Sequence, residues 1–147
     1  MIKFLHTREE LLELHKVLEP FYEKMPYRKK RLDGGVWADK WMGLLEAEAG
    51  TVIAATENDK IIGGIGLLTY PAFEDDVLNT QEAFWYVKED NRGAGVKLYK
   101  AAEKYAREVG SKRLAMIYLE TSMPQKVETF YKRIGFKKAE TTYIKEL

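Results

Sequence analysis

The stretch VKEDNRGAGVKLYKAAEKYAREVG, residues 87–110, passes from a polar turn with two glycines straight into a helical pattern. Gly93 and Gly95 let a backbone bend sharply and let another group approach it closely. Val96, Tyr99, Ala102, Ala106 and Val109 recur at helical spacing and predict one buried face, with Gly110 as the stop. The first amides of such a helix have no partner inside it. Together with the positive end of the helix dipole they offer a seat for a phosphate or pyrophosphate. Arg92 and Lys97 add charge at the same place. Two readings of the local pattern stand: a phosphate cradle, or glycines that merely turn a strand into a helix.

Two better-known phosphate motifs do not fit. No stretch has the Gly-x-x-x-x-Gly-Lys-Ser/Thr spacing of a Walker loop. A dinucleotide fingerprint needs a third glycine where Leu98 stands, within a parallel βαβ unit. Gly64 and Gly66 lie inside a hairpin strand and are read as sites of close packing or a bulge.

Working outward, QEAFWYV (81–87) is a strand leading into the turn, preceded by the loop PAFEDDVLNT (71–80). TVIAATE, a tight Asn58-Asp59 turn and KIIGGIGLLTY form a hairpin of β-branched and apolar residues. Toward the start, IKFLH is a short strand. TREELLELHKVLE is a helix with Thr7 and Glu10 at capping-box spacing, ended by Pro20. FYEKMPYRKKRLDGG reads as a loop, and WADKWMGLLEAEAG as a helix closed by Gly50. Beyond Gly110, RLAMIYLE is a strand, PQKVETFYKRI a short helix and GFKKAETTYIKEL a last strand. The order is β-α-α-β-β-β-α-β-α-β. It predicts an α/β (α+β) sandwich whose mixed sheet has helices on both faces, built as one domain over residues 1–147.

Composition narrows the class. With 147 residues, 46% hydrophobic and 32% charged, the chain can bury a substantial core without staples. A net charge of +1 argues against a dedicated nucleic-acid binder. No apolar run approaches a membrane span, and MIKFLHTREELLELH is too charged for a signal peptide, so a cytoplasmic protein without a membrane partner is expected. With no cysteine there is no disulfide, thiol nucleophile or thiolate zinc site. His6 and His15 offer no metal spacing and read as surface or packing residues; no metal is expected. Neither Ser111 nor Ser122 sits in a Gly-x-Ser-x-Gly elbow.

The 87–110 stretch, preceded by EAFWYV and followed by FYKRIGF (130–136), resembles the GNAT superfamily of acyl-CoA-dependent N-acetyltransferases. That family's Gln/Arg-x-x-Gly-x-Gly/Ala signature falls on Arg92, Gly95 and Lys97. Its late Phe/Leu-Tyr-x-x-x-Gly-Phe pattern is matched by Phe130, Tyr131, Gly135 and Phe136. The resemblance runs from about Thr51 to the end, and the element order fits the rest. It implies a GNAT-like three-layer sandwich with a largely antiparallel central sheet. There are two departures: Lys97 stands where a small residue is usual, and Pro124 where many members carry an asparagine that contacts the cofactor.

What the resemblance implies chemically is acetyl transfer from acetyl-CoA to a primary amine. The cofactor-binding segment would be Arg92, Gly93, Ala94, Gly95, Val96 and Lys97, with Trp85 and Val87 supplying backbone groups for the acyl carbonyl and pantetheine arm. Such fixed amide dipoles act as an oxyanion hole. Tyr131 is the candidate acid for the departing thiolate, suited by a phenol pKa near 10; otherwise it is a core aromatic beside Phe130. Glu82, grouped with Phe84 and Tyr86 by strand alternation, is the candidate base, or else a solvated strand-end charge, with water as the other proton acceptor. The amine acceptor, a small molecule or a protein, would meet loops around Tyr27, Trp37, Trp41 and Phe73. FEDD (73–76) would draw a cationic amine or be a solvated turn, and RKKR (28–31) would touch phosphates or stay solvated. The resemblance also admits a homodimer. Two rivals remain: a non-catalytic acyl-CoA sensor of the same fold, and a nucleic-acid-modifying protein using RKKR, against which the neutral charge weighs.

Overall fold

The computed structural model describes residues 1–25, 32–118 and 123–147, which divide into two compact units. The first comprises Met1–Glu19 and Leu32–Ile117, the second Pro20–Arg31 and Tyr118–Leu147. The RKKR segment and Tyr27 lie outside the described residues.

In the first unit, five strands form one sheet in the order β1-β2-β3-β4-β5. They are β1 (Ile2–Phe4), β2 (Gly50–Glu57), β3 (Lys60–Pro71), β4 (Leu78–Val87) and β5 (Arg113–Ala115). All neighbours are antiparallel except β4 and β5, which run parallel. The expected mixed, largely antiparallel sheet is thus present. Asn58 and Asp59, both with positive φ, make the tight β2–β3 turn.

Side chains alternate along β3, and this parity separates two helical layers. Ile65 and Leu67 join Ile53, Ala55 and Val87 in a cluster with Leu98 and Ala102 of α4 (Ala94–Glu108). The intervening glycines face α1 (Arg8–Val17) and α3 (Gly34–Glu46). A Cβ on Gly64 would stand 2.9 Å from Leu14 of α1, and one on Gly66 2.8 Å from Trp41 of α3. Gly66 is further constrained, because its Cβ would lie only 2.3 Å from Phe84 Cε1. Glycine is required there by the close passage of aromatic rings. Trp37, Trp41 and Phe84 pack together on this face, with ring centroids 5.6–6.1 Å apart. Buried His15 lies 5.3 Å from the Trp37 ring, a packing role.

The helix ends follow from local chemistry. The Thr7–Glu10 capping box is formed. Asp33 caps α3 by accepting from Gly35 N and Val36 N at 2.9 and 3.2 Å, so this helix starts within the segment read as loop. It stops before Gly50, the expected closer. Glu48 instead takes the left-handed conformation, and its N–H and that of Ala49 donate to Leu45 and Leu44 O, a Schellman closure. Gly50 is left to open β2. On α4 the same closure uses Gly110 at φ +88°, as expected. The buried face of α4 is Gly95, Leu98, Tyr99, Ala102 and Ala106. Val96 and Val109, expected there, are exposed: at the start Gly95 takes the buried position instead, and at the end the stripe stops at Ala106.

Pro20 does not end the first helix. That helix closes at Val17, and Pro20 sits in the first turn of α2 (Glu19–Glu23), where a missing N–H costs nothing. In the second unit, α5 spans Pro124–Arg133. The last expected strand, 135–147, takes no regular structure and is exposed almost throughout. Its run of lysine, glutamate and threonine offers little apolar surface to bury against a neighbour. Among the described residues no helix is long and apolar enough to cross a membrane.

Candidate functional site

The turn after β4 tightens into a single 3₁₀ turn, Glu89–Asn91, and α4 begins at Ala94 with Gly93 as its cap residue. Helices α1 and α3 are capped by the Thr7 and Asp33 side chains, whereas α4 has no side-chain cap hydrogen bond. Its first-turn amides are the ones the sequence marks for an anion. A Cβ at Gly93 would meet nothing within 4 Å, so the helix start has room in front of it. At Gly95 a Cβ would rest 3.6 Å from Trp85 Cζ2 and 3.8 Å from Val87 Cγ2. The structure therefore gathers Gly95, Trp85 and Val87 at one place, the C-terminal end of β4 under the start of α4. The Arg92 guanidinium lies over the Tyr86 ring, 5.4 Å from its centroid, which fixes that charge close to the turn. Lys97, in the first turn, is exposed.

A cavity of about 560 Å³ opens at the same helix start, lined by Thr56–Asp59 of the hairpin and by Asn91, Gly93, Ala94 and Lys97. Glu57, Asp59 and Asp90 also line it, and carboxylates repel phosphate.

Strand β4 pairs with β5 only from Asn79 opposite Arg113 to Gln81 opposite Ala115. Glu82–Val87 then runs on without β5 as a ladder neighbour. Where the strands part, the Glu82 carboxylate accepts from Ile117 N at 2.9 Å. Glu82 is only 5% exposed, so the solvated strand-end alternative is set aside. Its expected grouping with Phe84 and Tyr86 also fails. Gly66 pairs with Phe84 but Leu67 pairs with Glu82, leaving Ala83 as an extra residue in a β-bulge. Cross-strand partners share a face, so Glu82 sits with Leu67 on the α4 side. Nothing in the residue pattern of β4 marks this bulge; only the glycine opposite, Gly66, hints at it. Thr80, fully buried on the same face, is within 3.2 Å of Thr69 Oγ1 and 2.7 Å of Ser111 Oγ, a hydroxyl chain that sequence reading missed.

Asp75 of the FEDD loop is already engaged. It pairs with Arg113 of β5 at 2.7 Å and accepts from Val77 N at 3.1 Å. The Arg113 hydrogen bond, helped by that backbone N–H, holds its carboxyl below the usual range. The share of the attraction expected from Asp75 for a cationic acceptor is therefore partly met inside the protein, while Glu74 and Asp76 stand exposed. Phe73 of the same loop is fully exposed.

Tyr131 belongs to the second unit, in the last turn of α5. Gly135 takes φ +94°, and the N–H groups of Gly135 and Phe136 donate to Lys132 and Tyr131 O at 3.3 and 2.9 Å. This is again a Schellman closure, completed by the Phe136 ring 5.3 Å from the buried Tyr131 ring. The Tyr-x-x-x-Gly-Phe spacing thus has a local physical cause. Pro124 opens α5 as its first residue, a position that suits proline. Among the described residues no group of histidine and acidic side chains could hold a metal ion.

The family model described as Acetyltransferase (GNAT) family matches residues 10–136. No curated protein sequence matches the chain significantly. Among solved structures, a ribosomal-protein-alanine N-acetyltransferase from Brucella melitensis biovar Abortus 2308 is similar, with TM-score 0.74, 19% identity, and coverage of 100% of this chain and 99% of that one. An acetyltransferase from Trypanosoma brucei gives 0.75 at 19% identity, covering 100% and 99%. An aminoglycoside acetyltransferase from an uncultured soil metagenomic sample, in complex with sisomicin, gives 0.77 at 16% identity, covering 100% and 95%. At such identities the structures show a shared fold, while the family model spans most of the sequence: the chain belongs to the GNAT acetyltransferase family.

Proposed function

We propose that this protein moves an acetyl group from acetyl-CoA to a primary amine by direct attack in a ternary complex. The observation that carries the reading is the conjunction at the end of β4: an uncapped helix start whose Gly95 abuts Trp85 and Val87, beside a strand that has left its neighbour. These residues fit an extended acyl donor with a pyrophosphate. Of the amides from Gly93 to Lys97 that of Gly95 already donates to Arg92 O at 3.0 Å; the others, with the Arg92 and Lys97 charges, would hold the donor's anionic end, while backbone groups of Trp85 and Val87 would take the arm and polarise the carbonyl.

In this reading a C–N bond forms as the C–S bond breaks. Tyr131 gives its phenolic proton to the departing thiolate. The proton lost by the amine has two outlets, the Glu82 carboxylate or water. With no cysteine in the chain there is no thiol to carry the acyl group, in keeping with direct transfer. The acceptor is a small-molecule or protein amine. The sisomicin-bound neighbour and the ribosomal-protein-alanine enzyme mark the two kinds of acceptor to try first.

The test is calorimetric titration with acetyl-CoA, followed by thiol release over a panel of aminoglycosides, polyamines and peptide N-termini, with mass spectrometry of the acceptor. Acetylated amine supports the proposal. Tight binding without transfer to any amine favours the sensor, which Lys97 and Pro124 would suit. Absence of binding removes both.

A further inference from the structure

We propose that Glu82 is a positioning residue: its carboxylate pins the backbone at Ile117 and thereby sets the width of the gap between β4 and the segment leaving β5. The inference rests on the reading of that gap as the acyl-donor channel.

Three observations carry it. The β4–β5 ladder stops at Gln81 and Ala115, and two residues later the Ile117 N–H finds Glu82 Oε2 at 2.9 Å. A side chain has taken over from the strand as acceptor at the point where the strands diverge. The replacement is longer than a direct ladder bond, because a glutamate side chain now spans the interval. Second, the bulge at Ala83 puts Glu82 on the face where it can make this bond; unbroken alternation would place it with Phe84. The bulge and the clamp therefore work as one device. Third, Glu82 is 5% exposed, and a buried carboxylate persists only with hydrogen-bonding partners. A group committed to holding the channel wall is a poor choice for shuttling protons, since protonation would weaken its acceptor strength at each turnover. Water then serves as the outlet for the amine's proton.

The test compares E82A and E82Q with the native chain by amide exchange at Ile117, acetyl-CoA binding and pH–rate profiles. In E82A, Ile117 exchange should quicken and the acetyl-CoA KM rise by roughly 10-fold, with the loss falling on KM more than on kcat. E82Q keeps an oxygen that can accept from Ile117, so it should restore both the protection and most of the affinity, with the native pH–rate profile. A large kcat loss in E82Q, with the acid limb of the profile gone, would make Glu82 the base and overturn the proposal. Unchanged Ile117 exchange in E82A would overturn it as well. If E82A does not fold, E82Q decides through its profile. If the native chain does not bind acetyl-CoA, the proposed function fails, and Ile117 exchange still judges the clamp by itself.

Discussion

Replacing Gly95 with alanine should move stability and cofactor affinity in opposite directions. Gly95 is the second residue of α4, and the new methyl would sit 3.6–3.8 Å from Trp85 and Val87, ordinary van der Waals contact. The fold therefore accepts it without displacement. Glycine to alanine at a compatible helical position stabilises by about 0.4–1 kcal/mol, chiefly by restricting the unfolded chain. For a chain of this size that raises Tm by about 1–4 °C. The same methyl fills the space above the two residues proposed to take the acyl arm, next to the amides proposed for the pyrophosphate. Acetyl-CoA affinity should fall by about 10–100-fold, or roughly 1.4–2.7 kcal/mol. Gly95→Val should bind more weakly still, with less gain in stability because of its branched side chain. Guanidinium denaturation gives the first quantity and calorimetric titration the second. Native affinity in folded Gly95→Ala and Gly95→Val proteins would refute the assignment of the site.

Tyr131→Phe keeps the ring that Phe136 packs on and removes only the hydroxyl; kcat should drop by roughly 10²-fold or more with little change in acetyl-CoA affinity, and equal turnover in a chemistry-limited assay would reduce Tyr131 to packing. Gly66→Ala should destabilise by about 2–3 kcal/mol or more, read by denaturant midpoint, because its Cβ would fall 2.3 Å from the buried Phe84 ring. Burial raises the Glu10 pKa, but bonds from Lys3 and from the His6 and Thr7 amides outweigh it and lower the carboxyl to about 2. Its contribution is complete above the ordinary value near 4.5 and fades as pH falls toward 2. Because Lys3 is half exposed, it should be about 1 kcal/mol, measured as the loss of acid sensitivity in Glu10→Gln.

What was legible in the sequence was what neighbours in the chain decide. The Thr7 capping box, the Asn58-Asp59 turn and the Gly110 stop each follow from a few adjacent residues, and each forms, whereas Gly93 and Gly95 take ordinary helical backbone and make no sharp bend. The fold class followed from their order. Illegible features depend on partners far along the chain. Glu82 changes face because Leu67, fifteen residues earlier, is displaced by one in register. Asp75 is quenched by Arg113, a residue of another strand. The 135–147 segment reads as a strand, but a strand needs a partner to pair with, and nothing local in its sequence supplies one. Glu48 stands in for glycine because the Schellman bonds at the end of α3 outweigh the cost of its left-handed backbone, a balance composition does not reveal.

The closure of α5 gives Tyr131 an unusual mounting. Its carbonyl receives the bond that stops the helix and its ring carries the contact that seals the stop, so one residue serves as terminus and as proposed proton donor. A donor built this way takes part of its orientation from the geometry of the helix end. Losing Gly135 or Phe136 would therefore loosen the proposed donor by undoing a helix stop, without any change to its phenol.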